Sequence, residues 1–213
     1  MVYRDASGRR LSDYPRPSVA VDTAVLTVLD DQLQVLLVPA DGRLGLPGTF
    51  VHEGEVLADA VRRSLREKAG VLGIEPHQLQ VFDALDRDDR GWVLSVAHWA
   101  AVTASRLTGV AASVELVPVE GVDDLRYDHA EIVRLAVDEL RSRYLVAPDP
   151  AQLLDEPFTL LELQRLHEAV AGERLMRDTF RRRMQPLVRP TGRQARGVVG
   201  KPAQEFERRR PIV

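Results

Sequence analysis

Cysteine is missing from all 213 residues, so a disulfide framework, a thiolate zinc site and thiol redox chemistry are excluded. Long apolar runs are missing too. No stretch approaches the roughly 20 residues of a membrane span. Arg4, Asp5, Arg9 and Arg10 occupy the N-terminal region where a signal peptide would place its apolar core. The expectation is a cytoplasmic protein with no membrane partner. Aromatic residues amount to only 5%. Trp92 and Trp99 read as packing residues rather than nucleotide stackers, because large aromatics mostly serve cores. No internal repeat or low-complexity segment is evident.

What is present fits a globular chain: 45% hydrophobic and 29% charged residues, enough for one full domain and a smaller one. The formal net charge of -3 hides a division. Residues 1–150 carry 16 Lys/Arg against 24 Asp/Glu, whereas residues 151–213 carry 13 against 8. From Glu173 onward the basic residues number 12 and the acidic ones 4, which marks that part for a polyanionic partner.

Apolar patterning predicts strands over residues 19–28 and 33–38, joined as a hairpin at Asp30-Asp31. A loop rich in Gly and Pro over residues 41–55 follows. Leu57, Ala60, Val61 and Leu65 then recur at helical spacing up to a stop at Gly70. Further strands are predicted over residues 79–85, 92–102 and 114–119, and an amphipathic helix over 130–144. The architecture this spells is a mixed sheet with helices packed on it. Ala147-Pro148-Asp149-Pro150 interrupts regular structure and is the expected boundary between residues 1–150 and 151–213.

Beyond the boundary a helix is predicted over residues 158–171, opened by Thr159 with Glu162 three positions later and closed by Gly172. A second helix is predicted over residues 174–185. It turns Leu175, Phe180 and Met184 inward and leaves Arg177, Arg181, Arg182 and Arg183 on its surface. A hairpin from Pro190 to Phe206, with Arg193, Arg196 and Lys201, completes the outline of a winged helix-turn-helix. A helix rich in Arg can enter a major groove while wing residues hold phosphates, so the expected polyanion is double-stranded DNA. Thr179 on the helix and Thr191 on the wing join the DNA-contact candidates. Arg208 to Arg210 read as a solvated tail adding nonspecific attraction to DNA. The alternative for this unit is a module for protein contacts.

The segment that carries most chemistry runs from Gly48 through Glu55 to Arg63-Ser64-Leu65-Arg66-Glu67-Lys68-Ala69-Gly70. Its spacing resembles the Nudix box: Gly, five residues, Glu, seven residues, Arg-Glu-hydrophobe-x-Glu-Glu-x-Gly. In a Nudix hydrolase the acidic positions hold Mg²⁺, a hard cation that takes oxygen ligands and offsets charge on the diphosphate. Here those positions carry Ser64, Glu67 and Lys68. One carboxylate of three remains, and the Lys68 ammonium opposes a cation by charge. No catalytic residue, metal or cofactor is therefore expected. Glu55 and Arg63 read as a salt bridge that shapes the loop, and the box as a fold element.

Nearly the whole chain resembles the Nudix-related transcriptional regulators of the NrtR type. The stretches that carry the resemblance are Arg16-Pro-Ser-Val-Ala-Val-Asp22, the degenerate box, Asp86-Arg-Asp-Asp-Arg-Gly91, Leu94-Ser-Val-Ala97, Tyr127-Asp-His-Ala-Glu-Ile132, Phe158 to Arg165, Phe180-Arg-Arg182 and Gly200-Lys-Pro-Ala203. The resemblance implies a Nudix-like α/β/α sandwich followed by a winged helix. It also implies a homodimeric repressor of genes for NAD metabolism or sugar use, released from operator DNA by ADP-ribose or a related nucleotide. Arg43, Glu55, Arg63, Glu67, Arg87, Arg90 and His129 are the effector-binding candidates. Arg87 and Arg90 either hold phosphates or bridge to Asp88 and Asp89; Asp128 is placed to cap the helix that His129 begins. Asp178-Thr179 departs from the basic-Asn pair usual before Phe-Arg-Arg in the family, and Thr49 and His52 replace the second Gly and first Glu of the box loop. A residual Nudix hydrolase acting on ADP-ribose-type substrates is the alternative function, and a noncatalytic partner-binding module a third.

Overall fold

The structure is a computed structural model in which residues 3–40, 42–195 and 202–209 are described. One strand organises it. β1 (Ser18–Leu29) is buried over most of its length because both of its faces are covered. Val21 and Val25 point to one side, Ala24 and Leu26 to the other, as the two-residue period of a strand requires. Asp30 and Asp31 both adopt positive φ, 52° and 57°, which gives the tight hairpin into β2 (Gln32–Ala40).

On its other edge β1 pairs in parallel with β6 (Val93–Ala101), from Ser18↔Val93 to Leu26↔Ala101. β5 (His77–Phe82) lies antiparallel beside β6, and β7 (Glu115–Pro118) beside β2. The loop expected over residues 41–55 holds two further strands, β3 (Arg43–Gly45) on β2 and β4 (Gly48–Phe50) on β1. Three-residue strands in a Gly-Pro segment carry no periodicity to read. Trp99 is buried as expected, but Trp92 precedes β6 and is 48% exposed.

Helix α1 (Leu57–Ser64) packs Ala60 and Val61 on the Val21 and Val25 face. It widens into a π-helical turn, Leu65–Ala69, and stops at Gly70, whose φ of 70° favours glycine. Helix α2 (His129–Tyr144) covers the opposite face with Ile132, Val133, Ala136 and Leu140, each burial being of order 1–3 kcal/mol. The expected α/β/α sandwich results.

The C-terminal unit starts with β8 (Phe158–Thr159), so Phe158 is a strand residue paired with Phe206 rather than the first residue of a helix. In α3 (Leu160–Ala171), Thr159 Oγ1 accepts from Glu162 N at 3.2 Å and Glu162 Oε2 accepts from Thr159 N at 2.6 Å, a reciprocal cap contributing about 1 kcal/mol. α4 (Arg177–Met184) begins three residues later than the pattern suggests. Residues 172–176 form the turn instead: Gly172 is left-handed, and Glu168 accepts from Leu175 N and Arg174 Nη1. β9 (Val188–Gln194) and β10 (Gln204–Arg208) make the wing, in the order β8-β10-β9. Phe158, Leu163, Phe180, Met184, Val188 and Phe206 form the core of this unit. No helix among the described residues is long and apolar enough to cross a membrane.

The two units share material. Leu166 and Val170 of α3 join the cluster under α2. Asp149, fully buried, accepts from Tyr144 Oη at 2.6 Å, Leu153 N at 2.9 Å, Leu154 N at 3.0 Å and Arg208 Nη2 at 2.6 Å. Arg208 is therefore a structural cation bridging the wing to the linker, and not part of a solvated tail. His167 donates to Pro148 O and lies edge-on between Tyr144 and Phe180.

Burial pushes the pKa values of His98 and His167 down from the usual imidazole range. Folding therefore favours the neutral form of both. The unfolded chain takes up protons near pH 6.5, so their contribution to stability is complete above that pH and is lost as pH falls below it. Denaturant midpoints should fall between pH 7.5 and 5.5, and the slope should flatten in the His98→Gln, His167→Gln double variant. An unchanged slope would assign the acid sensitivity elsewhere.

Candidate ligand cavity and DNA-reading face

Asp22, the one acidic side chain in the apolar run of β1, faces the α2 side of the sheet at its lower end. It is buried, and Ser95 of β6 donates to its Oδ2 at 2.6 Å. Arg87 approaches the same oxygen at 3.5 Å and forks onto Asp128 at 2.7 and 2.9 Å. His129 Nδ1 accepts the Leu46 N–H at 2.9 Å, which fixes the proton on Nε2, 3.3 Å from Asp22 Oδ1. Burial alone would raise the Asp22 pKa, but His129, Ser95 and Arg87 outweigh it and hold the carboxyl below its usual range. Asp128 does not cap α2 through its side chain; its carboxylate holds Arg87.

This network floors a cavity of about 530 Å³, within the range of small-molecule sites. Phe50, Arg90 and Tyr127 form one wall, the guanidinium lying 5.2 and 5.5 Å from the two ring centres. Asp88 grips the other edge of Arg90 at 2.7 and 2.9 Å, and this charge-assisted pair raises the Arg90 pKa and lowers that of Asp88. Arg126 stacks on Tyr127 at 4.6 Å. Tyr127 itself is held at φ 53°, a sparsely populated conformation for a non-glycine residue. Lys68 and Ser113 complete the opening. Four cations line the cavity against two carboxylates, and the balance suits an anion.

Of the effector candidates, Arg87, Arg90 and His129 meet here; Arg43, Glu55, Arg63 and Glu67 do not line the cavity. Arg43 pairs with Asp124 on the surface. Arg63 forks onto Glu55 at 2.9 Å twice and donates to Thr49 Oγ1 and Phe50 O, as the salt-bridge reading of that pair expected. This clamp holds Glu55 at a pKa of about 2 and sets Thr49 and Phe50 in the cavity wall. Glu67 is half-exposed, 3.4 Å from Arg66 and 4.0 Å from Arg63. Asp22, Phe50, Arg126 and Tyr127 line the cavity as well, and of these only Asp22, an acid in an apolar strand, carries a signal in the sequence.

The positions at which a Nudix hydrolase holds Mg²⁺ carry Ser64, Glu67 and Lys68. Among the described residues no three His, Cys, Asp or Glu side chains gather to hold a metal. Ser64, at the first acidic box position, is buried with an unpartnered hydroxyl, and Lys68 lines the cavity.

On the other unit, Arg177, Thr179, Arg181, Arg182 and Arg183 are exposed along α4, opposite the buried Phe180 and Met184. Arg181 leans on Gln185 at 3.0 Å. On the wing Arg193 is exposed, whereas Thr191 is half-buried and donates to Glu205 O. Arg196 and Lys201 lie outside the described residues, as does Arg210.

Residues 19–154 match the family model of the NUDIX domain, and residues 150–207 that of the NrtR DNA-binding winged helix domain. The ADPR responsive transcriptional repressor NtrR of Acinetobacter baylyi is 32% identical over 185 residues, which cover 81% of this chain and 74% of that protein. The chain belongs to the NrtR family. Shewanella oneidensis NrtR, solved in complex with a 27mer DNA, superposes with a TM-score of 0.74 at 33% identity, covering 90% of this chain and 93% of that one. The NUDIX domain of the same NrtR, solved with ADP ribose, matches with a TM-score of 0.54 at 30% identity over 63% of this chain and 95% of that one.

Gly48 permits the close approach of β4 to β1 in this NrtR protein. A Cβ there would stand 1.8 Å from Asp22 Oδ1 and 2.9 Å from Val21 O. Gly48→Ala should cost about 1–3 kcal/mol as overpacking, read as a lower denaturant midpoint at constant slope. Gly121, which faces open space, is the control: Gly121→Ala should stay within about 0.5 kcal/mol. Equal effects of the two would contradict the tight β4 contact.

Proposed function

We propose that this chain is a ligand-responsive transcriptional repressor in which ADP-ribose or a related nucleotide occupies the cavity and a winged helix reads double-stranded operator DNA. The observation that carries the reading is the span of α2. Its first residue, His129, faces Asp22 in the cavity floor, and its last, Tyr144, hydrogen-bonds Asp149 at the joint with the wing. An anion-suited cavity and an arginine-studded helix are thus attached to opposite ends of one element. The named NrtR relatives, a repressor responsive to ADPR and structures with DNA and with ADP ribose, support the same assignment.

In this reading residues 1–150 sense the effector and residues 151–213 bind DNA, as a cytoplasmic homodimer acting on genes of NAD metabolism or sugar utilisation. Arg87 and Arg90 orient the nucleotide, with Phe50 and Tyr127 offering ring faces. Arg177, Arg181, Arg182, Arg183 and Arg193 meet phosphates and base edges, with Thr179, Thr191, Arg196 and Lys201 beside them. The chain is read as non-enzymatic because its box cannot assemble a metal site. With Mg²⁺ and ADP-ribose, turnover should stay far below the roughly 1 per second of ordinary enzymes. Turnover in that range, abolished by Glu67→Gln, would instead establish the residual hydrolase.

Ligand and operator must influence each other equally, since an effector shifts an equilibrium only by its differential affinity for the two states. If ADP-ribose weakens operator binding tenfold, operator must weaken ADP-ribose binding tenfold, about 1.4 kcal/mol each way. Calorimetric titrations of ADP-ribose with and without operator measure this. Equal affinities, or no binding in either, would remove ADP-ribose as the releasing signal. Arg182, exposed on α4 and without an ion pair among the described residues, should cost about 1–3 kcal/mol of operator affinity when changed to Ala if it reads a base. Unchanged gel shifts would take this helix out of the interface.

A further inference from the structure

The cations around the cavity are not equivalent. Arg87 is tied to Asp128 and Asp22, and Arg90 to Asp88, so both guanidiniums are answered by carboxylates. Lys68 is different. It lines the cavity, yet it forms no hydrogen bond or ion pair among the described residues, and the neighbouring carboxylate of Glu67 associates with Arg63 and Arg66 instead. Its position is fixed from behind. Leu65 and Ala69, on the same π-helical turn, are buried against the Val21 and Val25 face, and Gly70 ends the turn. The turn is thus anchored on its apolar side and presents an ammonium on the other.

We propose that Lys68 is the diphosphate anchor of this cavity and takes over the charge-neutralising role that Mg²⁺ has in a Nudix hydrolase. The proposal rests on the reading of the cavity as an ADP-ribose site. A nucleoside diphosphate carries its negative charge on adjacent phosphates, and a divalent ion and an ammonium compete for the same oxygens. With Ser64 and Lys68 in two of the three acidic positions, the ammonium is the charge available at that place in the fold. It is held covalently, so its position does not depend on metal supply. A primary ammonium donates hydrogen bonds to phosphate oxygens but cannot acidify a bound water as a metal ion does. Lys68 therefore gives binding without the hydrolytic step, which is what a sensor of an intact nucleotide requires.

The consequence is a ligand affinity indifferent to divalent cations. Calorimetry with ADP-ribose on the full chain, in EDTA and again in millimolar MgCl₂, should give dissociation constants within about twofold of each other. Lys68→Met should weaken metal-free binding about tenfold or more, and Lys68→Arg, which keeps the charge, should lose clearly less. Thermal melts of each variant establish that it is folded, and Lys68, being exposed, tolerates all of them. Wild-type binding that appears only with Mg²⁺ would overturn the anchor while leaving the ADP-ribose reading intact. So would Lys68→Met with unchanged affinity. Absence of binding in both buffers would overturn the anchor together with that reading.

Discussion

The carboxylate of Asp149 has no exposed surface, so every hydrogen bond it needs must come from the protein itself. A buried unpaired charge costs several kcal/mol, and the fold around Asp149 is arranged to avoid that cost. Tyr144 supplies a hydroxyl from the end of α2, Leu153 and Leu154 supply backbone N–H groups from the linker, and Arg208 supplies the counter-charge from the wing. Tyr144, Leu153 and Leu154 lie within five residues of Asp149, whereas Arg208 reaches it from 59 residues away. Satisfying this carboxylate ties the end of α2, the linker and the last strand of the C-terminal unit together, beside the strand pairing of β8 with β10. The shared apolar cluster of α2 and α3 gives this joint its bulk, and Asp149 gives it its register.

The cavity obeys the same rule at the other end of α2. Asp22 and Asp88 are buried acids, and each is paired with an arginine that also faces the ligand space. Charge pairs thus satisfy the buried acids and line the cavity at once. The box motif has been divided differently: its Glu55–Arg63 pair still shapes the loop that carries Thr49 and Phe50, while two of its three acidic positions carry a hydroxyl and an ammonium. Loop architecture and metal chemistry are separable because they use different side chains of the same turn.

Much of this was legible in the sequence because it is periodic or stereotyped. The hairpin at Asp30-Asp31, the amphipathic α2 and the Thr159–Glu162 cap each follow from local chemistry and are found where they were expected. The short strands β3 and β4 were not legible, because their pairing partners lie elsewhere in the chain and three residues carry no pattern. Among site residues, spacing brought Glu55, Arg63 and Glu67 forward, but spacing cannot distinguish a side chain that shapes a loop from one that meets a ligand. Arg208 looked like tail charge since its partner, Asp149, is far away in sequence. Arg43 lacked any local signal that would have sent it to Asp124 on the surface.

Of the 29 basic residues in the chain, only Lys68 and Lys201 are lysines; the rest are arginines. A guanidinium stays protonated under any physiological condition and does not react with acylating agents, whereas an amine does. Acylation of Lys68 would abolish the positive charge at that edge of the cavity. The arginines of α4 would keep theirs. Chemistry selective for amines would thus reach one edge of the cavity, and Lys201 in the C-terminal unit, while leaving the exposed arginines of α4 fully charged.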